Sequence, residues 1–257
     1  MVGEPIGMFY GYIADGIFTD VDDILNHFTN ENGEYVGPPI DRNTGVWPGD
    51  IKFRDLNGDG IIDGDDRTVI GSPHPDFTFG INNTFSYRGF DLNIFLTGSY
   101  GNDILNFTRR ETEAMMRGTN QSTKVLDRAV LALHDPEGSV DDPDNVYVSN
   151  PDTDVPRVSQ TDPNNNRRMS SRYIEDGSFL KIRNVRLGYT LPTNLVNNLG
   201  LNSVRLYINL QNLYTFTNYS GFDPEIGAYN QDVLLTGVDN GFYPSPRMYT
   251  FGLNVGF

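Results

Sequence analysis

The stretch FTFGINNTFSYRGFDLNIFLTGSY, residues 77–100, decides the fold of this chain of 257 residues. Apolar residues occupy the odd positions in its first half and the even positions in its second half. Alternation with a period of two is the pattern of a β-strand with one apolar face. Arg88 and Gly89, which separate the two halves, suit a two-residue turn between antiparallel strands. The stretch therefore predicts a β-hairpin with one continuous apolar face.

Three further stretches alternate in the same way. They are FLKIRNVRLGYTL (179–191), VRLYINLQNLY (204–214) and RMYTFGLNVGF (247–257). In the first of them the apolar phase changes near Asn184, which predicts a β-bulge at that point. With strands 77–87 and 90–100, the chain is predicted to form five antiparallel strands of an all-β fold.

The strand ends and the connections favour a membrane barrel over a soluble sandwich, although both have strands with one apolar face. Aromatic residues cluster at the strand ends, as girdles at two membrane interfaces would require. Short connections (88–89 and 192–203) alternate with long loops (101–178 and 215–246), as in outer-membrane barrels. We therefore expect residues 1–74 to form an extracellular loop region and residues 75–257 to hold the barrel strands.

The stretch DLNGDGIIDGDD, residues 55–66, has the ligand spacing of a calcium-binding loop. Positions 1, 3, 5, 7, 9 and 12 of the loop are Asp55, Asn57, Asp59, the carbonyl of Ile61, Asp63 and Asp66. The flanking sequences lack helical periodicity, so we expect a structural calcium site, not an EF-hand sensor. The alternative is a turn in which Asp and Asn side chains cap their own backbone.

Composition excludes several classes of function. The formal net charge is -15 and the chain has no cysteine, which disfavours nucleic-acid partners and excludes thiolate metal sites. No apolar run approaches the roughly 20 residues of a membrane helix, and the segment MVGEPIGMFYG lacks the features of a secretory signal. His27, His74 and His134 lie in separate segments, so no catalytic site is predicted and we expect the chain not to be an enzyme.

The long connections contain two weaker signals. Residues 123–135, TKVLDRAVLALHD, have the pattern of a short amphipathic helix with Thr123 as its N-cap. Aromatic residues such as Phe18, Trp47 and Tyr243 lie among polar loop residues. They suit contacts to sugar rings and equally suit local packing or a partner surface, and the sequence leaves these alternatives open.

Four blocks resemble the C-terminal region of SusC/RagA-type TonB-linked outer-membrane transporters. They are GMFYGYIADGIF (7–18), GDIKFRDLNGDGIIDGDDRTVIGSPHPDFTFG (49–80), SSRYIEDGSFLKIRNVRLGYTLP (170–192) and YPSPRMYTFGLNVGF (243–257). The resemblance runs from near residue 2 to residue 257. It implies a barrel of about 22 strands around an N-terminal plug, in the outer membrane of a Gram-negative, Bacteroidetes-like cell. It also implies import of oligosaccharides or peptides with energy from TonB and with a SusD-type lipoprotein as a lid.

The chain also departs from this family, because the plug, the TonB box and most of the barrel are absent from its sequence. We therefore expect it to supply the last five strands of a larger barrel that contacts outer-membrane lipid. Phe257 matches the terminal aromatic residue that the barrel-assembly machinery reads in such proteins. Alone in water, an open sheet with two free edges is expected to aggregate. The alternative function is a secreted, calcium-stabilised, β-rich module that binds glycans.

Overall fold

A computed structural model describes residues 3–116, 120–198 and 200–257. The chain divides into two compact units. The first contains residues 1–72, 105–174 and 238–240, and the second contains residues 73–104, 175–237 and 241–257. Within the described residues, no helix is long and apolar enough to cross a membrane.

The described residues form strands and a few short helices. The strands are β1 (Phe9–Gly11), β2 (Ala14–Ile17), β3 (Ile51–Phe53), β4 (Thr68–Gly71), β5 (Phe77–Tyr87), β6 (Phe90–Tyr100), β7 (Asp103–Asn106), β8 (Leu131–Leu133), β9 (Val146–Val148), β10 (Ile174–Asp176), β11 (Phe179–Thr190), β12 (Ser203–Thr217), β13 (Val238–Asp239) and β14 (Met248–Gly256). The α-helices are α1 (Val21–His27), α2 (Phe107–Thr112) and α3 (Thr193–Asn197). Single 3-10 turns cover Gly64–Asp66, Thr123–Asp127, Pro143–Asn145, Ser171–Tyr173, Tyr229–Gln231 and Val233–Leu235.

Five long strands form one antiparallel sheet in the second unit, in the order β14-β12-β11-β6-β5. The predicted all-β fold with five antiparallel strands is confirmed, and the sheet is open, as a part of a larger barrel would be. The hairpin β5–β6 turns at Arg88 and Gly89, whose φ angles are 45° and 84°. Two successive positive φ angles define the turn type that matches the twist of paired strands.

The register of β11 shifts between Ile182 and Asn184 against both of its neighbours. Against β6 the extra residue is on β11, as the change of phase predicted, and against β12 it is on β12. On either side of the bulge the apolar residues remain on one face. Ile182 pairs with Leu96 before it, and Val185 pairs with Ile94 after it. The inserted residue thus reconciles the two phases of the β11 sequence.

The first unit has its own small cores. One of them consists of Phe18, Ile24, Phe28 and Val46, which are at most 3 % exposed. The predicted helix over residues 123–135 is wrong. A 3-10 turn covers Thr123–Asp127, and β8 follows and pairs with β9, so Leu131 lies opposite Val148. Cross-strand pairing outweighs the local helical pattern there, because propensity is a weak determinant of structure.

Candidate membrane sheet and metal-binding loop

One face of the five-stranded sheet is apolar and exposed. The register places Ile81, Leu96, Ile182 and Tyr214 side by side across four strands. On β14, Phe251 of the same face keeps 78 % of its surface exposed. A soluble sandwich would cover such a face with a second layer. The exposure is what contact with lipid hydrocarbon requires.

Aromatic pairs lie at both ends of this face. At one end Phe77 and Tyr100 stack with ring centroids 5.4 Å apart. At the other end Phe90 and Tyr189 lie with centroids 4.4 Å apart. Aromatic rings at the two ends of the strands form the girdles that mark the membrane interfaces of barrels.

The opposite face of the sheet is polar. One row across all five strands consists of Thr84, Asn93, Arg186, Asn209 and Thr250. Within this row the side-chain amide of Asn93 donates a hydrogen bond to Oγ1 of Thr84 over 3.0 Å. A face of this composition suits a water-filled lumen.

An ion pair spans the polar face at Gly188. Arg205 on β12 binds Asp91 on β6 with Nε–Oδ1 and Nη2–Oδ2 distances of 3.1 and 2.6 Å. The two charged residues bridge the strand between them, where Gly188 lies opposite both Asp91 and Tyr207. A Cβ atom at Gly188 would clash with the Arg205 guanidinium and with the Asp91 carboxylate. Glycine therefore leaves the space in which the ion pair forms.

A second charged cluster joins the sheet to the connection between β12 and β14. Lys181 on β11, whose side chain is only 3 % exposed, lies 3.0 Å from Oδ2 of Asp223 and 2.5 Å from Oε2 of Glu225. Arg183 forms a further ion pair with Glu225. We call Lys181, Arg183, Asp223 and Glu225 the loop latch. Buried charges of this kind are stable only when they are paired.

The sequence reasoning did not find the loop latch, because the two acidic residues lie 42 and 44 residues after Lys181. Lys181 is one of three basic residues in β11, and nothing in the local pattern separates it from Arg183 and Arg186. Burial by itself would raise the pKa of the Asp223 carboxyl group. Hydrogen bonds from the Glu225 backbone N–H and the Lys181 ammonium outweigh burial and hold that pKa below its ordinary value.

The structure brings the predicted metal ligands into one turn-rich loop between β3 and β4, without flanking α-helices. Asp55 accepts hydrogen bonds from the backbone N–H groups of Gly58 and Gly60, at 2.6 and 2.7 Å. Asp66 accepts hydrogen bonds from the N–H groups of Leu56 and Asp63, both at 2.8 Å, and so closes the loop. Gly60, the sixth residue of the loop, has a φ angle of 78°, a conformation that favours glycine.

The remaining ligand positions also carry local hydrogen bonds. Asn57 donates from Nδ2 to Oδ2 of Asp59 over 2.9 Å, and Asp59 accepts from the N–H of Ile61 over 2.8 Å. Asp63 accepts from the N–H of Asp65. The Asx-type turns that the sequence offered as an alternative are therefore present in the loop.

The donor set of this loop fits the chemistry of a hard cation. It offers four carboxylates, one amide oxygen and one main-chain carbonyl, which are the oxygen ligands that calcium prefers. Among the described residues, however, no three acidic or histidine side chains are gathered closely enough to share an ion. The carboxylates are directed to backbone N–H groups, so calcium would need some of them to turn inward.

The loop aromatic residues divide into two groups. Phe18 and Trp47 are each 1 % exposed and belong to the interior of the first unit. Tyr243 is 91 % exposed. The first two are therefore packing residues, and only residues like Tyr243 are free to contact a ligand or a partner.

Comparison with known proteins links the chain to one group of receptors, although no family model matches it. TonB-dependent receptor P3 of Formosa agariphila is 36 % identical over 259 residues, which cover 99 % of this chain and 22 % of that protein. TonB-dependent receptor SusC of Bacteroides thetaiotaomicron is 26 % identical over 249 residues, which cover 96 % of this chain and 20 % of that protein. The chain thus spans about a fifth of the length of these curated relatives.

Solved structures show the same fold. The RagAB peptide transporter matches with a TM-score of 0.65 and 22 % identity, over 97 % of this chain and 22 % of that chain. The RagAB peptide importer in its closed-closed state matches with a TM-score of 0.63 and 23 % identity, over 97 % of this chain and 23 % of that chain.

Proposed function

The chain belongs to the TonB-dependent receptors of the SusC/RagA type, and from this premise we propose that it supplies barrel strands to a nutrient importer. Receptors of this type are outer-membrane proteins, and the chain is located in that membrane. The observation that carries the proposal is the register of the five-stranded sheet, which separates an exposed apolar face from a polar face along every strand.

The polar face forms part of the lumen wall in this proposal, and the apolar face contacts lipid. The short connections lie on the periplasmic side and the long connections on the extracellular side, as in other barrels of this class. Residues 1–74 and the loops 101–178 and 215–246 then lie where nutrient is captured. The imported compound is an oligosaccharide or a peptide, and the chain itself has no catalytic role.

The partners follow from the same premise. A SusD-type lipoprotein covers the extracellular mouth, and TonB supplies energy through a part of the receptor outside this chain.

The loop 55–66 binds calcium in a structural role. Hydrogen bonds from Gly60 and Gly58 outweigh burial and lower the pKa of Asp55, which keeps that carboxylate charged and ready to bind a cation. The calcium ion would join β3 to β4 through their connection. Because the ion binds the folded loop and not a disordered one, it would stabilise the loop by mass action.

The experiment that tests the proposed function uses a matched pair of variants in the native polypeptide that carries this chain. Leu187→Arg places a charge on the apolar face, whereas Asn209→Arg places the same charge on the polar face of the neighbouring strand. Arginine on the lipid face costs about 2–4 kcal/mol near the bilayer midplane. The amount of receptor in isolated outer membranes, measured with an antibody, should fall for Leu187→Arg alone.

Uptake supplies the second measurement. Cells without the gene should lose growth on one oligosaccharide or peptide nutrient, and the Asn209→Arg receptor should restore this growth. Equal membrane levels for both arginine variants, or recovery of the native polypeptide in a soluble fraction, would refute the proposal and favour a soluble binding module.

A further inference from the structure

A groove of about 590 Å³ lies on the sheet at the end with the long connections. Its walls are two sets of aromatic side chains. Phe77, Phe79 and Tyr100 form one wall, and Tyr214 and Phe216 form the other. Except for Phe79, at 36 %, each of these five side chains is at least half exposed.

The residue sizes in one row of the sheet explain the groove. This row consists of Phe79, Gly98, Leu180 and Phe216 on the apolar face. The ring of Phe79 lies over Gly98, where a Cβ atom would clash with it. In this row Leu180 is therefore the full-sized side chain between Phe79 and Phe216, and it lines the groove there together with the neighbouring Phe179.

Ring–ring contacts within each wall fix the positions of its aromatic side chains. Phe77 stacks on Tyr100 at 5.4 Å, and Tyr214 meets Phe216 edge to face at 4.7 Å. Pairs of this geometry are stabilised beyond their buried area. The groove is therefore a built feature of the apolar face and does not depend on one flexible side chain.

The surroundings of the groove differ between its two ends. Toward the middle of the sheet it continues into the apolar belt, where Leu96 and Ile182 lie side by side. At the strand ends it is lined by the polar residues Asp176, Ser178 and Asn218. An apolar slot that opens into hydrocarbon and has a polar rim matches a lipid molecule, whose acyl chain and headgroup differ in the same way.

We propose that this groove binds one acyl chain of an outer-leaflet membrane lipid, with the lipid headgroup against Asp176, Ser178 and Asn218. The inference rests on the proposed lipid-facing orientation of the sheet and is continuous with that interface. No water is available in the bilayer core to fill an apolar groove. Between helices or strands in lipid, close packing is the main source of affinity, and two aromatic walls offer a chain more contact than a flat belt does.

The test compares lipids that remain bound to the intact receptor after purification from outer membranes in detergent. Leu180→Trp fills the groove. Its matched control, Leu187→Trp, changes a residue of the same strand and face outside the groove that is 43 % exposed. Native mass spectrometry should find one lipid fewer on the Leu180→Trp receptor than on the wild type, and no loss for Leu187→Trp.

A second pair of variants keeps the test decisive if Leu180→Trp fails to assemble. Phe216→Ala removes one of the two rings of a wall, and Phe251→Ala removes a ring of the apolar face outside the groove that is 78 % exposed, against 52 % for Phe216. Phe216→Ala should lower lipid retention at least severalfold, and Phe251→Ala should leave it unchanged. Equal retention in both pairs, or a receptor dimer that depends on Leu180, would overturn the inference.

The outcomes also separate this inference from the proposed function. Normal outer-membrane levels and nutrient uptake without a retained lipid would refute the lipid groove alone. Absence of the wild-type receptor from isolated outer membranes would refute the proposed function.

Discussion

Replacing Lys181 by methionine should release the connection between β12 and β14 from the sheet. The lysine ammonium is the partner of both acidic residues of the loop latch, and its side chain is only 3 % exposed. Methionine retains most of the volume of the lysine side chain, so the change removes the charge with little loss of packing. Asp223 and Glu225 then keep their negative charges without their main counter-ion.

The expected loss of loop stability depends on the partners that Asp223 and Glu225 keep in the Lys181→Met variant. Removing one partner of a buried ion pair costs about 3–5 kcal/mol when the other charge is left alone. Here Asp223 keeps hydrogen bonds from the N–H groups of Glu225 and Ser245, and Glu225 keeps Arg183. We therefore expect a smaller loss, about 2 kcal/mol in the free energy of opening of the loop. Since 1.36 kcal/mol is a factor of ten, the open population should rise about 30-fold.

Hydrogen–deuterium exchange of the intact receptor in detergent measures this opening. The N–H of Glu225 is bonded to Oδ1 of Asp223 over 3.1 Å, and the N–H of Ile226 is bonded to the carbonyl of Pro224 over 2.8 Å. Both should exchange about 30-fold faster in Lys181→Met, because exchange requires opening of these bonds.

The control is Arg205→Met, which removes a cation from the same face of the sheet at the opposite end. Its partner is Asp91 and not the loop, so exchange over residues 223–226 should stay at the wild-type rate. An increase of less than about threefold in Lys181→Met, or an equal increase in both variants, would show that the loop is held by something other than the latch.

Three further predictions use other parts of the molecule. The pKa of Asp223 is depressed, so its contribution to the stability of the loop latch is present above its unfolded pKa, near 3.8, and is lost as the pH falls through the lower folded value. Hydrogen exchange over residues 223–226, corrected for intrinsic rates, should therefore rise only in that acid range. A rise between pH 5 and 7 would contradict this assignment. Gly188→Ala should destabilise the sheet by about 1–3 kcal/mol through overpacking, seen as a lower unfolding temperature, whereas Gly227→Ala, where the structure leaves open space, should not. Calcium at about 100 times its Kd should stabilise loop 55–66 by about 2.7 kcal/mol and slow its proteolysis; magnesium at the same concentration is the control, and a response that survives Asp59→Ala would exclude this loop as the site.

The local sequence was sufficient to predict the hairpin β5–β6, because two independent signals agree there. The alternation of apolar residues sets the face of each strand, and Arg88-Gly89 sets the register of the pair. A one-residue slip would move every apolar side chain of the hairpin to the polar face. The strict division of apolar and polar residues between the two faces therefore makes the sequence pattern of this hairpin nearly unambiguous.

The long connections were less predictable because their structure depends on contacts between distant segments. In the first unit, Arg157 binds the buried carboxylate of Asp50 with an Nε–Oδ1 distance of 2.8 Å. Asn166 donates to the same oxygen over 2.9 Å. These partners lie more than 100 residues apart in the chain. No local pattern distinguishes Asp50 from the many exposed acidic residues, and for the same reason the sequence could not separate the buried Phe18 from the exposed Tyr243.

The bulge of β11 affects both faces of the sheet. Before it, Leu180 and Ile182 face the lipid side, and after it Val185 and Leu187 do. Without an inserted residue, one half of the strand would place its apolar side chains on the polar face. Against β6 the inserted residue is Arg183, which contacts Glu225 of the loop latch. A single extra residue thus preserves the lipid-facing surface, including the groove at Leu180, and gives the polar face a second cation beside Lys181.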